Sequence, residues 1–372
     1  MKFYIIAGEA SGDLHGSNLI KELKKLDQAT DIRCWGGNKM EATGARLVKH
    51  YNDLAFMGFT EVLKNLGTIL NNLKFCKKDV LRYQPDALIL IDYPGFNLRV
   101  AKWAKKQGLK VIYYISPQVW AWKANRVKSM KCCIDKMICI LPFEKKYYKE
   151  KWNWEVEYAG HPLVEEVESY LLKEKEKIER LTDQVIALLP GSRKQEILKK
   201  LPIMLNVAKE LPGYHFVVAK APGLEENFYN ELLAPYANVS SVVNETYRLL
   251  AHSKAALVTS GTATLETALF GVPEVICYKG NALSYQIARK LVKIKFIGLV
   301  NLIMDKEVVK ELIQDELTVE NLKRELTALL TNENKRIAIK EDYKSLKQIL
   351  SEGGHASANA ARSIYKFIAP AS

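Results

Sequence analysis

The sequence contains no run approaching the roughly 18 consecutive apolar residues of a membrane span, although 48% of it is hydrophobic. It also lacks any pair of CxxC motifs. Its six cysteines, Cys34, Cys76, Cys132, Cys133, Cys139 and Cys277, are scattered. Neither a zinc site nor a disulfide framework fits that spacing, and a reducing cytoplasm is the expected compartment. The opening residues MKFYIIAGEASGD pass from a short apolar stretch straight into acids, which reads as a first strand and not a signal peptide. Acidic residues are in deficit, 42 against 55 Lys and Arg, giving a net charge of +13. Roughly +10 of that surplus falls in residues 1–165. A basic half implies either a polyanionic partner, nucleic acid or an anionic membrane face, or a plain solvated surface. Aromatic–basic motifs suited to a nucleic-acid-binding sheet face are missing, so nucleic acid is the weaker choice.

A chain of 372 residues is long enough for two domains, each with its own core. Its clearest landmark is VIALLPGSR, residues 185–193. Val185–Leu189 reads as a strand covered on both faces, ended by Pro190 and followed by a helix. Gly191 permits a tight turn and Ser192 suits the helix N-cap. A helix start presents free N–H groups to a phosphate, and Arg193 adds a bidentate donor. An ordinary strand–turn–helix junction would look the same, but a second one occurs at Ser260-Gly261-Thr262-Ala263-Thr264-Leu265-Glu266. There, small hydroxylated residues let backbone approach a ligand, and Glu266 can accept from ribose hydroxyls. A capping box fits the same residues. Strands at 215–219, 239–243, 255–259 and 275–278 continue the alternation.

The first half repeats this organisation. Phe3–Ala7 is a strand followed by GEASGD, residues 8–13, a poor dinucleotide fingerprint because Glu9 and Asp13 would oppose a pyrophosphate. Those acids suit sugar hydroxyls or a proton-accepting role, and His15 is a further base candidate whose plainer role is packing. Strands follow near 32–35, 46–50, 87–91, 110–115, 136–141 and 156–160. Asp92 stands at the carboxyl end of one of them, where open parallel sheets bind ligands, and could equally cap the next helix. Trp120 and Trp122 either wall a sugar or acyl site or pack in the core. Residues 55–75 carry Phe56, Met57, Phe59, Leu63, Leu66 and Leu70 at helical spacing, trailed by lysines. That pattern fits a core-facing helix or one lying on lipid. Two alternating sets predict an α/β protein of two Rossmann-like domains facing one another across a cleft. The expected domains are 1–165 and 166–352, joined through a charged surface helix at 165–184. A small-residue helix at 355–370 either returns to the first domain or pairs with a second subunit as a homodimer.

Seven motifs in order, GEASGD, IDYPGFN (91–97), SPQVWAWK (116–123), GHPL (160–163), LLPGSR (188–193), SGTATLE and VNLI (300–303), resemble those of the lipid A disaccharide synthases, a family of GT-B glycosyltransferases. The resemblance implies inverting transfer of diacylglucosamine from UDP-2,3-diacylglucosamine to 2,3-diacylglucosamine 1-phosphate, giving the β-1,6-linked disaccharide 1-phosphate and UDP. It implies peripheral association with the cytoplasmic face of an anionic Gram-negative inner membrane, and no cofactor. Gly191, Ser192, Arg193, Ser260, Gly261, Thr262, Thr264 and Glu266 would hold the nucleotide sugar, with Asn301 helping to close the site. No metal is called for if Arg193 and the helix dipoles offset leaving-group charge. The acceptor's 6-hydroxyl needs a base: Asp92 first, then Asp13 and Glu9. Several relatives carry Asp where this chain has Gly95, so the base is sought among those three. The residue 55–75 stripe then becomes a membrane-docking, acyl-admitting surface. Rival assignments within the architecture are the lipid II-forming transferase and a UDP-sugar 2-epimerase. A non-catalytic nucleotide- or nucleic-acid-binding protein is the rival outside it.

Overall fold

A computed structural model describes residues 1–54, 66–121, 123–174, 184–221, 223–280, 295–352 and 354–369. The chain forms two compact units, Met1–Pro162 with Ser351–Ser372, and Leu163–Leu350. In the first, strands β1 (Lys2–Ala7), β2 (Asp31–Gly36), β3 (Arg46–His50), β4 (Ala87–Ile91), β5 (Val111–Tyr114), β6 (Lys136–Cys139) and β7 (Glu157–Tyr158) form one sheet. All neighbours pair parallel, in the order 3-2-1-4-5-6-7. The central strands are unbroken apolar runs, buried from end to end in β4 and β5, because helices cover both faces.

One face of this sheet packs Tyr4, Ile6, Leu88, Leu90 and Tyr113 against Leu73, Cys76, Val80, Val100 and Val127. The other packs Phe3, Ile5, Ile89 and Ile91 against Leu19, Ile20 and Leu23 of the helix Ala10–Leu26. The last helix, Ala356–Ile368, completes that second face with Ala360, Ala361 and Ile364. Its alanines allow close approach, and Asn359 Nδ2 donates to Ala159 O at 3.1 Å while Ser363 Oγ donates to Glu157 at 2.5 Å. Tertiary contact with the first unit is therefore built into its small-residue stripe.

The second unit repeats the plan with β8 (Val185–Leu189), β9 (His215–Lys220), β10 (Val239–Val243), β11 (Ala255–Thr259), β12 (Glu274–Tyr278) and β13 (Glu311–Ile313). Their order is 10-9-8-11-12-13, again all parallel. Each sheet thus reverses direction of winding once, between β1 and β4 and between β8 and β11, and crevices at such reversals are where ligands bind. The strands flanking each reversal lead straight into helices: Ala10–Leu26 and Pro94–Lys106 in one unit, Lys194–Lys209 and Thr262–Leu269 in the other.

Two expectations from sequence fall partly outside the described residues. Phe56, Met57, Phe59 and Leu63 lie outside them, as does the Leu66 side chain. The remainder of that stretch belongs to the helix Leu66–Tyr83, which buries Leu73, Cys76 and Val80 at helical spacing. The charged helix expected at 165–184 is described as Pro162–Glu174, starting three residues earlier; residues 175–183 lie outside the described ones.

Gly8 shows how closely the β1–β4 reversal is packed: a Cβ there would stand 2.3 Å from the Tyr93 ring. Gly8→Ala should lower stability by about 1–3 kcal/mol, the usual cost of overpacking. At Gly95, where a Cβ would meet nothing within 4 Å, the same change should stay within about 0.5 kcal/mol. Urea midpoints of the two variants provide the comparison.

Candidate active site

The second unit carries a pocket of about 500 Å³ at the ends of β8, β9 and β11. Gly191, Ser192 and Arg193 form one wall and Ser260, Gly261 and Thr262 the other, with Glu266, Lys220 and Thr246 between. Gly191 has φ +114 and Gly261 φ +153, conformations open to glycine but rarely to other residues. Two helices begin here, so their first-turn N–H groups and positive dipole ends converge on one volume. Such a place suits a phosphate.

The two starts are capped differently from the sequence expectation. Arg193, not Ser192, is the N-cap of Lys194–Lys209, and no side chain bonds the cap. Gly261 is the N-cap of Thr262–Leu269, again without a side-chain bond, so the capping-box alternative does not hold. Neither cap is closed by its own side chain, which leaves first-turn donors for a ligand. Arg193 is exposed and reaches Glu196 at 3.4 Å. Lys220 pairs with Glu226 at 2.5 Å. Ser260 Oγ donates to Ile297 O at 2.9 Å. Glu266 accepts from Tyr247 OH at 3.3 Å, and burial raises its carboxyl above the usual range, with Glu166 adding to the shift.

Two residues expected at the ligand do not line the pocket. Thr264 is fully buried and donates to Gly261 O at 2.8 Å, so it shapes the turn without lining the pocket. Asn301 is also fully buried and spends its amide on Val309 O, Glu311, Val308 N and Val309 N. Glu311 in turn accepts from the N–H groups of Ile297 and Gly298. Asn301 therefore supports the loop that receives Ser260 and does not reach the pocket, because every polar atom it owns is already engaged.

In the first unit the corresponding corner is built by Asp92 and Tyr93. Both adopt left-handed φ, +42 and +49, between β4 and the next helix. Such conformations cost about 1–3 kcal/mol each and persist only when surroundings enforce them. Here Asn97, fully buried, places Nδ2 2.8 Å from Asp92 O, 3.1 Å from Ile91 O and 3.4 Å from Ile6 O. Tyr113 OH adds a 2.6 Å bond to Asp92 O. With its backbone oxygen held, the half-buried Asp92 carboxyl is pushed up to about 6, by burial first and then by the charge of Glu9. Glu9 is the exposed N-cap of Ala10–Leu26 and makes no side-chain cap bond.

Asp13 differs from both. It is 3% exposed, and its carboxylate accepts from Gly37 N at 2.7 Å, Met40 N at 3.0 Å and Lys39 N at 3.1 Å. A carboxylate so committed to backbone amides anchors the turn after β2, and the expected proton-accepting role does not suit it. His15 is held near pKa 4 by burial, and His161 near 3 by burial and then by His15. Both are neutral at physiological pH. Trp120 packs edge-on against Phe143 and donates to the buried Glu144 at 3.2 Å, a core role; Trp122 lies outside the described residues.

Three participants escape a reading of the sequence. Asn97 lies inside the IDYPGFN motif and is the detectable one. Lys220 ends β9, a position that parallel-sheet logic marks. Tyr247 gives no signal.

The family profile described as "Lipid-A-disaccharide synthetase" matches residues 3–366. Lipid-A-disaccharide synthase of Syntrophus aciditrophicus is 40% identical over 361 residues, 95% of this chain and 94% of that one. The Trichlorobacter lovleyi protein of the same name is 39% identical, covering 94% and 93%. That of Coxiella burnetii is 37% identical over 371 residues, 98% of each. The chain belongs to the lipid-A-disaccharide synthase family. Lipid-A-disaccharide synthases are glycosyltransferases, and this chain's role is in lipid A biosynthesis. Solved structures agree on the fold. UDP-GlcNAc 2-epimerase from Neisseria meningitidis bound to UDP-GlcNAc superposes with TM-score 0.72 at 14% identity, over 98% of this chain and 100% of that one. The glycotransferase of kitacinnamycin gives 0.67 at 15%, covering 99% of each. At such identities the likeness is one of GT-B architecture, and the sequence relatives separate the synthase from the epimerase.

The environment of Asp13 yields a direct expectation. Asp13→Ala should lower stability by about 1–3 kcal/mol, since three amides, those of Gly37 and Met40 buried, lose their acceptor. Its residual turnover per folded molecule should stay within about threefold of wild type. Thermal melts paired with activity corrected for the folded fraction give both values.

Proposed function

We propose that the chain joins UDP-2,3-diacylglucosamine to 2,3-diacylglucosamine 1-phosphate, with UDP held in the second unit and the acceptor presented by the first. The observation that carries this reading is the pocket where two helix starts, Arg193 and Lys220 meet at the β8–β11 reversal. Diphosphate oxygens suit the first-turn amides and guanidinium, and ribose hydroxyls suit Glu266. The acceptor's 6-hydroxyl attacks the anomeric carbon from the face opposite UDP. Its proton passes to Asp92, the sugar–oxygen bond to UDP breaks, and the electron pair goes to the β-phosphate. Arg193 and the helix ends stabilise that charge where it develops. Inversion gives the β-1,6 linkage.

Asp92 is supported as the base by position, at the carboxyl end of β4, and by its raised pKa of about 6. A base must be ionised, so kcat/KM should rise with pH through about 6 and level off above it. Asp92→Asn should lower turnover more than about tenfold and remove that acid limb. Mass measurement of the product from a diacylated donor and acceptor reads both. Turnover unchanged in Asp92→Asn would move the base to Glu9.

We further propose docking to an anionic bilayer through the helix Leu66–Tyr83. No described helix is long and apolar enough to cross a membrane. This helix nevertheless leaves Leu70, Phe75 and Leu81 about half exposed, at 51%, 49% and 49%. Lys74, Lys78 and Arg82 are exposed beside them. Apolar side chains that enter the interface and cations that meet headgroups form one surface. Leu70→Glu with Phe75→Glu should cut cosedimentation with anionic vesicles severalfold while the protein stays folded. Equal binding by that double variant would remove this surface from the proposal.

A further inference from the structure

Lys200 sits in the helix Lys194–Lys209 among Ile197, Leu201 and Met204, which face the core. It is only 3% exposed. Its Nζ donates to Thr259 Oγ1 at the end of β11 and lies 3.8 Å from Glu196 Oε2. A Cβ on Gly191 would be 3.6 Å from the same Nζ and 3.1 Å from Glu196 Oε2. The ammonium thus backs directly onto the turn that walls the pocket, and Thr259 and Glu196, its two partners, are pocket residues themselves.

A lysine in a core position is costly unless its charge is matched. The titratable groups that face it are Glu196 on its own helix and Cys277 on β12. Cys277 is no counter-charge, because burial pushes its thiol up to about 12 and leaves it neutral. Glu196 is 40% exposed and shared with Arg193. Burial accordingly lowers the Lys200 pKa, against a smaller opposing effect of Glu196. An apolar residue would pack here without this cost, so the charge answers to something that arrives.

We infer that Lys200 is a positioning residue for the nucleotide diphosphate: it braces the Gly191 turn from behind and adds a buried positive charge that the bound diphosphate completes. The inference rests on the pocket being the nucleotide site. Bound diphosphate raises the proton affinity of Lys200. Below the depressed value of the free protein, Lys200 is protonated in both states and no proton moves. Between that value and the ordinary lysine value near 10.4, the complex holds more protons than the free protein. Affinity therefore falls as pH rises through that window, and binding takes up protons.

Calorimetric titration with UDP, at about pH 7.5 and about pH 9.5 in two buffers of different ionisation heat, measures this uptake. Wild type should take up, at one or both pH values, protons that Lys200→Met does not. Lys200→Met should weaken UDP binding at least about tenfold and lose the uptake. Its melting temperature without ligand should be equal to or above that of wild type, since a buried charge only partly matched by the shared, 40% exposed Glu196 has gone. A residue that merely supports the fold would not lower affinity while keeping or raising stability. Wild type whose proton uptake on binding UDP is no greater than that of Lys200→Met, or of Lys200→Gln should Lys200→Met not fold, overturns the inference. A folded Lys200→Met that binds UDP within twofold of wild type also overturns it. Wild type that binds no UDP at either pH overturns the assignment of the pocket, and the role of Lys200 with it.

Discussion

A parallel sheet wound from its middle outward must reverse direction once, and the helices on either side of that reversal leave opposite faces. The gap between them cannot be filled by either helix. In this chain the reversal occurs twice, between β1 and β4 and between β8 and β11. The groups with chemistry to offer sit at one gap or the other. Asp92, Glu9 and Tyr93 occupy the first; Gly191, Arg193, Gly261 and Glu266 occupy the second. The topology decides where polar groups are tolerated at the end of an apolar strand, and the residues there decide what they bind.

The two gaps are furnished by opposite means. In the second unit, glycines at positive φ and uncapped helix starts leave backbone donors facing outward. In the first, side chains consume backbone groups instead: Asn97 and Tyr113 occupy the Asp92 carbonyl, and Asp13 occupies three amides after β2. A donor-rich site suits an anion, and a site whose backbone is already satisfied suits a group that gives up a proton. This division matches a reaction in which one partner leaves as a diphosphate and the other gives up a hydroxyl proton.

Much of this is legible in the sequence because buried parallel strands are continuous apolar runs with sharp polar ends. Val185–Leu189, Val239–Val243 and Ala255–Thr259 have the same limits in sequence and structure. β13 is not legible: three residues beginning with a glutamate carry no periodic signal, and only pairing with β12 makes them a strand. The residues whose roles differ from expectation share a physical reason. Asp13, Thr264 and Asn301 have the chemistry of site residues, but sequence does not reveal which polar atoms are already bonded elsewhere. Conversely, Lys200 looks like any helix lysine until its burial is known. Residue type marks a candidate, and the satisfaction of its hydrogen bonds decides whether it is free to act.

The last helix carries a consequence for how the protein is made. The cover of the first sheet's face bearing Phe3, Ile5 and Ile89 is completed by Ala360, Ala361 and Ile364, which leave the ribosome after the whole of the second unit. During synthesis the amino-terminal unit must therefore wait, the part of that face not covered by the helix Ala10–Leu26 unsheathed, while the later unit finishes. Domains emerging in order commonly fold in order; here the earlier one is closed last. Nascent chains of this protein should expose a sticky patch of sheet for the time it takes to translate some two hundred residues, an interval in which chaperones have something to hold.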